Sequence, residues 1–481
     1  MSNNKVISNF IWRFAERCGA QAVQFVVSVV LARLLAPEVY GTIALVTVIT
    51  TILNVFVDSG MGNALIQKKN ADTLDFSTVF YFNIAICVLL YSGLFICAPW
   101  IAGFYKNLSL VPVIRVLGLT IVISGVKNIQ QAYVSKTMQF KRFFFSTLGG
   151  TIGAAVIGVW MAYRGYGVWA LVAQQIFNTT MDTLILWITV KWRPTREFSF
   201  KRLKGLFSYG WKLLASTLLD TVYNNIRQLI IGKMYSSSDL AFYNRGKQFP
   251  DLIINNINTS IDSVLLPTMS QEQDDKVRVK AMTRRAIKTS TYIMAPLMMG
   301  LAFCGTPIVR LVLTEKWLAC VPFMQIFCIT SMFYPIHTAN LNAIKALGRS
   351  DLFLKLEILK KIVGIILLLS TMWFGVMAMA YSLLVSSVLS QIINSWPNRK
   401  LLDYGYLEQL KDILPGIVLA VVMGVCVYPV QWIGLSDSIT LCIQVVLGAI
   451  VYIIGSILLK LESFNYVWNM VRPYVLKILH K

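Results

Sequence analysis

Arg13, Arg17, Gln21, Gln24 and Ser28 recur at steps of four, four, three and four through an otherwise apolar run, residues 10–35. That spacing puts them on one face of a helix. A guanidinium holds anionic oxygens, those of phosphate above all, through two parallel hydrogen bonds. Set in a run long enough to cross a bilayer, such a stripe should not face lipid. It should line protein or a wet cavity.

The same spacing returns in other apolar runs. Asp220, Asn224 and Arg227 share a helical face, as do Asp251, Asn255, Asn258 and Asp262. Further stripes are Ser124, Asn128, Gln131 and Ser135; Gln175, Asn178 and Asp182; and Asn54 with Asp58. A shared water-filled cleft would account for all of them. A plainer reading stands beside it: amide and hydroxyl stripes also hold membrane helices together by hydrogen bonds. On that reading Arg13, Glu16 and Arg17 form ion pairs near the membrane surface, and Asp58, Asp220 and Asp262 pair with nearby basic residues.

Composition says what positions these faces. Of 481 residues 56% are hydrophobic and only 14% are charged, where a soluble domain carries about 25% charged residues. The chain therefore reads as an all-α polytopic membrane protein. A membrane-crossing helix needs about 20 mostly apolar residues, and fourteen runs qualify. They are 10–35, 40–65, 77–101, 113–134, 143–163, 168–190, 209–235, 242–269, 286–313, 321–347, 356–374, 377–396, 413–432 and 439–459. The first run carries charge and lacks a small-residue cleavage site, so it should remain as the first span rather than leave as a signal peptide.

The formal charge is +22. In a membrane protein such an excess marks cytoplasmic loops rather than a nucleic-acid partner. Odd-to-even connections such as Ala36-Pro37 and Ser236–Ser238 carry few basic residues. Even-to-odd connections carry many: Lys68-Lys69, Lys136 with Lys141 and Arg142, Lys345 with Arg349, Lys191 to Lys204, and the stretch 276–288. Both termini are then expected in the cytoplasm.

The chain also repeats. Shifted by 200 residues, Arg33 falls on Lys233, the turn 37–41 on 237–241, and Asp58 on Asn258; Pro99 and Pro112 match Pro307 and Pro322 at a shift near 209. Both copies start on the same side, which makes the repeat parallel. The expected organisation is a six-helix lobe at 1–200, a second at 201–400, and two extra helices with a cytoplasmic tail at 401–481.

Several chemistries are missing. Gly232-Lys233 lacks the remainder of a phosphate-binding loop, and no nucleophile elbow or HExxH sequence occurs. The eight cysteines form no CxxC pair and read as small buried hydrophobes; two histidines, His337 and His480, are too few for a histidine metal site. The short external connections leave no room for the catalytic loop of a polymerase. The reading is a carrier that is not an enzyme, with no cofactor and no metal.

Three stretches carry a family resemblance. Arg33-Leu34-Leu35-Ala36-Pro37-Glu38-Val39-Tyr40-Gly41, Asp58-Ser59-Gly60-Met61-Gly62 and Ala64-Leu65-Ile66-Gln67-Lys68 resemble the opening signature of Wzx-type polysaccharide flippases. These belong to the multidrug/oligosaccharidyl-lipid/polysaccharide exporter superfamily, and the chain is most similar to the colanic-acid and teichuronic-acid exporter branch. Leu240 to Gly246 looks like that branch's Leu-Gly-x-Tyr-x-Arg-Ala, with Ala241 in place of the glycine and Gly246 in place of the alanine.

The resemblance implies a bacterial inner-membrane protein that moves an undecaprenyl-diphosphate-linked oligosaccharide to the outer leaflet, two lobes alternating access to a cationic cavity. The diphosphate would fall to Arg13, Arg17 and Arg227. The sugar hydroxyls, which need neutral donors and acceptors, would fall to Gln21, Gln24, Asn224, Asn255 and Asn258. With no ATPase, a proton or sodium gradient would drive transport through Asp58, Asp220 and Asp262. Polymerase or glycosyltransferase machinery would be the protein partner. Two other readings remain open: an antiporter of cationic drugs from the same superfamily, which would favour an acidic and aromatic cavity, and a membrane scaffold for polysaccharide synthases that docks them on its basic loops.

Overall fold

A computed structural model describes the backbone of residues 3–58 and 60–479. The side chains of 3–11, 13–15, 17, 209, 259, 260, 470, 471 and 473–479 lie outside the described set. The described residues contain helices and turns only, and they fall into two compact units, 1–241 and 242–481. The chain is a multi-pass, all-helical membrane protein.

The first unit holds α1 (Asn3–Leu34), α2 (Pro37–Asp58), α3 (Met61–Gln67), α4 (Thr73–Phe104), α5 (Leu110–Lys136), α6 (Lys141–Tyr163), α7 (Val168–Thr189), α8 (Phe200–Met234) and the first turn of α9 (Ser237–Gln271). Pro37 opens α2 at the helix position where its missing N–H is no loss. The helix stops near Gly60, which sits at φ +64°. A side chain there would meet the Gly210 carbonyl oxygen at 2.4 Å, so only glycine lets α8 pass this close. The chain then turns into the short α3.

Both ends of the segment after α3 are anchored. Lys136 donates to the carbonyls of Leu65 (2.8 Å) and Lys68, which satisfies the exposed C-terminus of α3. Asp72 and Asp75 form a reciprocal capping box at the start of α4. The fully buried Asp75 carboxylate takes Lys68 at 2.7 Å and Arg202 at 3.3 Å. Beneath this lies an apolar core of Met61, Leu65, Phe76, Phe80, Ile129, Phe143 and Trp192. Tyr133 stacks on Trp192 at 6.2 Å.

The second unit continues α9 and adds α10 (Lys276–Phe303), α11 (Gly305–Val312), α12 (Val321–Met332), α13 (Tyr334–Ala346), α14 (Ser350–Thr371), α15 (Val376–Leu401), α16 (Tyr406–Val427), α17 (Asp437–Leu458) and α18 (Glu462–Leu479). The chain bends by 68° between α10 and α11. Amide groups lock α13, α15 and α16 together. Asn340 donates to Gln409 at 2.8 Å, Gln409 donates back at 3.0 Å, and Asn398 donates to Asn340 at 2.6 Å. All three side chains are fully buried. Such exchange is how helices bind one another where no hydrophobic force drives them together.

Each of the fourteen apolar runs lies on a helix or a broken helix pair. Among the described residues eight helices are long and apolar enough to cross a membrane unaided, or nine if the bent α10–α11 pair is one span. The others, α1, α7, α8, α9 and α14, fall short of that measure of length and apolar composition among the described residues.

The cysteines correct one expectation. Cys87, Cys304, Cys320 and Cys328 are buried, but Cys18, Cys426 and Cys442 are exposed. Lipid accepts a small apolar side chain as readily as a protein core does, so an apolar run does not say which way its cysteines face.

Candidate functional site

A polar pocket of about 420 Å³ lies within the first unit. α1 contributes Glu16, α2 Asp58, α3 Asn63, α5 Asn128, Gln131 and Ser135, α6 Thr147, and α8 Leu213 and Thr217. Six helices of different sequence position thus meet around one space. The break at Gly60 is what makes this possible. It ends α2 at Asp58 and re-aims the chain, so that Asn63 of α3 reaches the same pocket.

Two hydrogen bonds define its acidic groups. Asn128 Nδ2 donates to Asp58 Oδ1 at 2.8 Å. Thr147 Oγ1 donates to Glu16 Oε1 at 3.3 Å, with Glu16 buried. The lining is therefore two carboxylates among amides and hydroxyls, and it includes no Lys or Arg among the described residues. Amides and hydroxyls both donate and accept, which suits a ligand rich in hydroxyls. Carboxylates suit a proton or a small cation. Among the described residues no cluster of three His, Cys, Asp or Glu is placed to hold a metal ion.

Asn128, Gln131 and Ser135 of the α5 stripe read from the sequence line this pocket and Asp58 joins them, while Ser124 of the same stripe does not. Other stripe residues go elsewhere. Gln21 is half-buried and Gln24 exposed on α1. On α8, Asp220 and Asn224 are exposed and Arg227 is half-buried; none of the three lines this pocket. In the second unit Asn255 and Asp262 are exposed on α9 while Asn258 is buried. Asp262 accepts from Asn342 of α13 at 2.6 Å. The side chains of Arg13 and Arg17 lie outside the described residues.

The α7 stripe serves as a helix fastener. Gln175 of α7 lies 3.5 Å from Thr47 Oγ1 of α2. Lys127 of α5 and Asp182 of α7 pair at 3.0 Å, both largely shielded. The sequence reading passed over Lys127, Asn63, Thr147 and Thr217, and took Glu16 only as an ion-pair partner. A signal was present for Thr147: it sits four residues before Thr151 on α6. Asn63 gave none, because its role depends on the α2–α3 break.

The model of a family described as polysaccharide biosynthesis protein matches residues 30–322, more than half of the chain. The teichuronic acid biosynthesis protein TuaB of Bacillus subtilis (strain 168) is 24% identical over 416 residues, 84% of this chain and 85% of that protein. The lipopolysaccharide biosynthesis protein WzxC of Escherichia coli (strain K12) is 22% identical over 393 residues, 81% of this chain and 79% of that one. Among solved structures, the lipid II flippase MurJ in an inward closed conformation matches 98% of this chain and 100% of its own with a TM-score of 0.74 at 15% identity. An inward-facing multidrug resistance transporter of the MATE family matches 80% and 94% with a TM-score of 0.63 at 14% identity. At those identities the two structures establish a shared fold.

Proposed function

The chain belongs to the polysaccharide biosynthesis protein family, and from that premise we propose that it carries a lipid-linked oligosaccharide across the bacterial inner membrane. The direction is from the cytoplasmic to the outer leaflet, the carrier lipid is undecaprenyl diphosphate, and access to the substrate alternates between the two sides. Fourteen spans, with both termini in the cytoplasm, complete the proposed topology.

The observation that carries this reading is the amide- and hydroxyl-lined pocket within the membrane unit. Its donors and acceptors from α1, α3, α5, α6 and α8 match a sugar's hydroxyls, and polar groups gathered inside a membrane protein are characteristic of substrate pathways. Arg13, Arg17 and Arg227 are the proposed partners of the diphosphate, and Gln21, Gln24, Asn224, Asn255 and Asn258 further partners of the sugar. Asp58 is the proposed coupling carboxylate for a proton or sodium ion, and Glu16 joins it as the second acid of the pocket. Asp220 and Asp262 remain coupling candidates on their own helices.

A second reading has an observation of its own. Among the described residues the charged groups that line the pocket are both acidic, Glu16 and Asp58, as an antiporter of cationic drugs would require. One experiment separates the two. The gene is deleted in its host, lipids are extracted, and the leaflet of any carrier-linked oligosaccharide is determined. Accumulation on the cytoplasmic leaflet with loss of surface polysaccharide, rescued by wild type but not by Arg17→Ala, supports the flippase. Unchanged intermediates with greater sensitivity to cationic drugs support the antiporter.

A further inference from the structure

Lys280, Arg284, Arg285 and Lys288 cluster near one end of α10. Lys280 lies 3.8 Å from Glu408, Arg284 lies 2.7 Å from Asp412, and Lys288 pairs with Glu462. Arg285 differs. Its guanidinium lies 4.9 Å from the ring centre of Tyr466, and among the described residues no carboxylate comes within ion-pair distance of it. Beside it opens a cavity of about 570 Å³ lined by Arg284, Arg285, Lys288, Thr289, Asn465 and Tyr466, with Glu462 its one carboxylate. The first turns of α18 form one wall. Further along that helix the rings of Phe464 and Trp468 stack at 6.3 Å, and Trp468 remains 48% exposed.

We propose that this cavity binds the phosphate of an anionic phospholipid, with Arg285 as its anchor and α18 lying along the membrane interface. Arg284 is paired with Asp412 and Lys288 with Glu462, so Arg285 is left, among the described residues, as the lining cation with no carboxylate in ion-pair reach, and an anion completes it. A guanidinium whose face already rests on Tyr466 keeps its N–H edge for phosphate oxygens. Exposed Trp468 beside a basic site is the pairing found at the headgroup level of a bilayer, where an indole is at home. A free phosphate would use the cations and leave these rings in water. A lipid engages both, and basic pockets at the cytoplasmic membrane surface take anionic headgroups in this way. The site is separate from the pocket of the first unit and does not depend on what that pocket carries.

The test uses the full-length protein in uncharged detergent, with bound lipid counted by native mass spectrometry. Phosphatidylglycerol should be retained well above phosphatidylcholine added at the same concentration. Arg285→Ala should lower phosphatidylglycerol retention about five-fold, the effect of one basic residue at a lipid surface, while Arg349→Ala should leave it unchanged. Equal retention of the two lipids, or undiminished retention by Arg285→Ala, overturns the proposal. So does complete displacement of phosphatidylglycerol by millimolar inorganic phosphate, which would make the cavity a free-anion site. Should Arg285→Ala melt below wild type in phosphatidylcholine, Arg285→Gln is read instead: it keeps the planar contact with Tyr466 and removes the charge, and normal retention there counts against the proposal.

Discussion

Ser238 Oγ donates a hydrogen bond to Glu38 Oε1 at 2.8 Å, joining two residues that stand 200 positions apart in the chain. Glu38 lies in the first turn of α2 and Ser238 in the first turn of α9. Two helix N-termini, each the positive end of a dipole, therefore approach one another, and the Glu38 carboxylate lies between them where it offsets both. At the same point Gly41 abuts α9 so closely that an added Cβ would fall 1.8 Å from the Ser237 carbonyl oxygen.

The two parts of this contact should respond differently to mutation. Ser238→Ala removes one exposed hydrogen bond and should cost about 0.5–1.5 kcal/mol. Gly41→Val drives backbone from backbone and should abolish transport or folding. Thermal melting in detergent together with polysaccharide export checks both. A Gly41→Val protein that melts and exports like wild type would show that the two turns do not meet.

The Asp58–Asn128 bond gives a sharper functional outcome. Asp58→Asn keeps the shape of the pocket and removes a titratable charge. If Asp58 couples the ion, transport measured in vesicles should fall at least tenfold and lose its dependence on the imposed gradient. Asn128→Ala leaves the carboxylate intact and should weaken transport less. Gradient dependence retained in Asp58→Asn would exclude this residue from coupling and leave Glu16, Asp220 and Asp262.

The amide exchange between Asn340 and Gln409 should behave as one unit. Asn340→Leu removes two hydrogen bonds from the buried Gln409 amide, which keeps Ser395 and the Tyr404 carbonyl, and Gln409→Leu does the same to Asn340. Each should destabilise by about 1–3 kcal/mol, while the double variant should cost less than the sum of the two. Melting temperatures of the four proteins close the cycle; strict additivity would mean that the side chains do not interact.

The link between α10 and α18 has a definite pH response. The hydrogen bond and charge of Lys288 hold the Glu462 carboxyl below its ordinary value of 4.5. A depressed carboxyl stabilises the folded state above its ordinary value, and the contribution is lost as pH falls through the lower, folded one. Docking of α18 should thus hold above the ordinary carboxyl value of 4.5 and loosen as pH falls below it. Fluorescence of the protein compared with its Trp468→Phe variant reads this directly. A transition centred near pH 6 would point to a different contact.

How much of this could be read from the residues themselves differs by level. The helices were legible because a bilayer demands long apolar runs and leaves little else possible. The stripe Asn128, Gln131, Ser135 was legible because three- and four-residue steps survive into the structure unchanged. Asn63 and Thr217 were not, since each reaches the pocket only through a break or a crossing that sequence spacing does not encode. Periodicity also says that a face is polar without saying what it meets. Asn128 and Gln175 looked alike in the sequence, yet Asn128 lines the pocket while Gln175 lies against Thr47 of a neighbouring helix.

The cations of α10 draw their partners from far along the chain: Lys280 and Arg284 from Glu408 and Asp412, Lys288 from Glu462. These acids all lie beyond residue 401, in the segment that holds α16, α17 and α18. The last two membrane helices and the tail are therefore not an optional appendage that could be trimmed or traded between homologues. A hybrid that joined residues 1–401 of this chain to the end of another would inherit three positive charges without the negative ones selected alongside them. Grafts that succeed should be those that carry α10 and the C-terminal segment together, as a matched pair inherited from one parent.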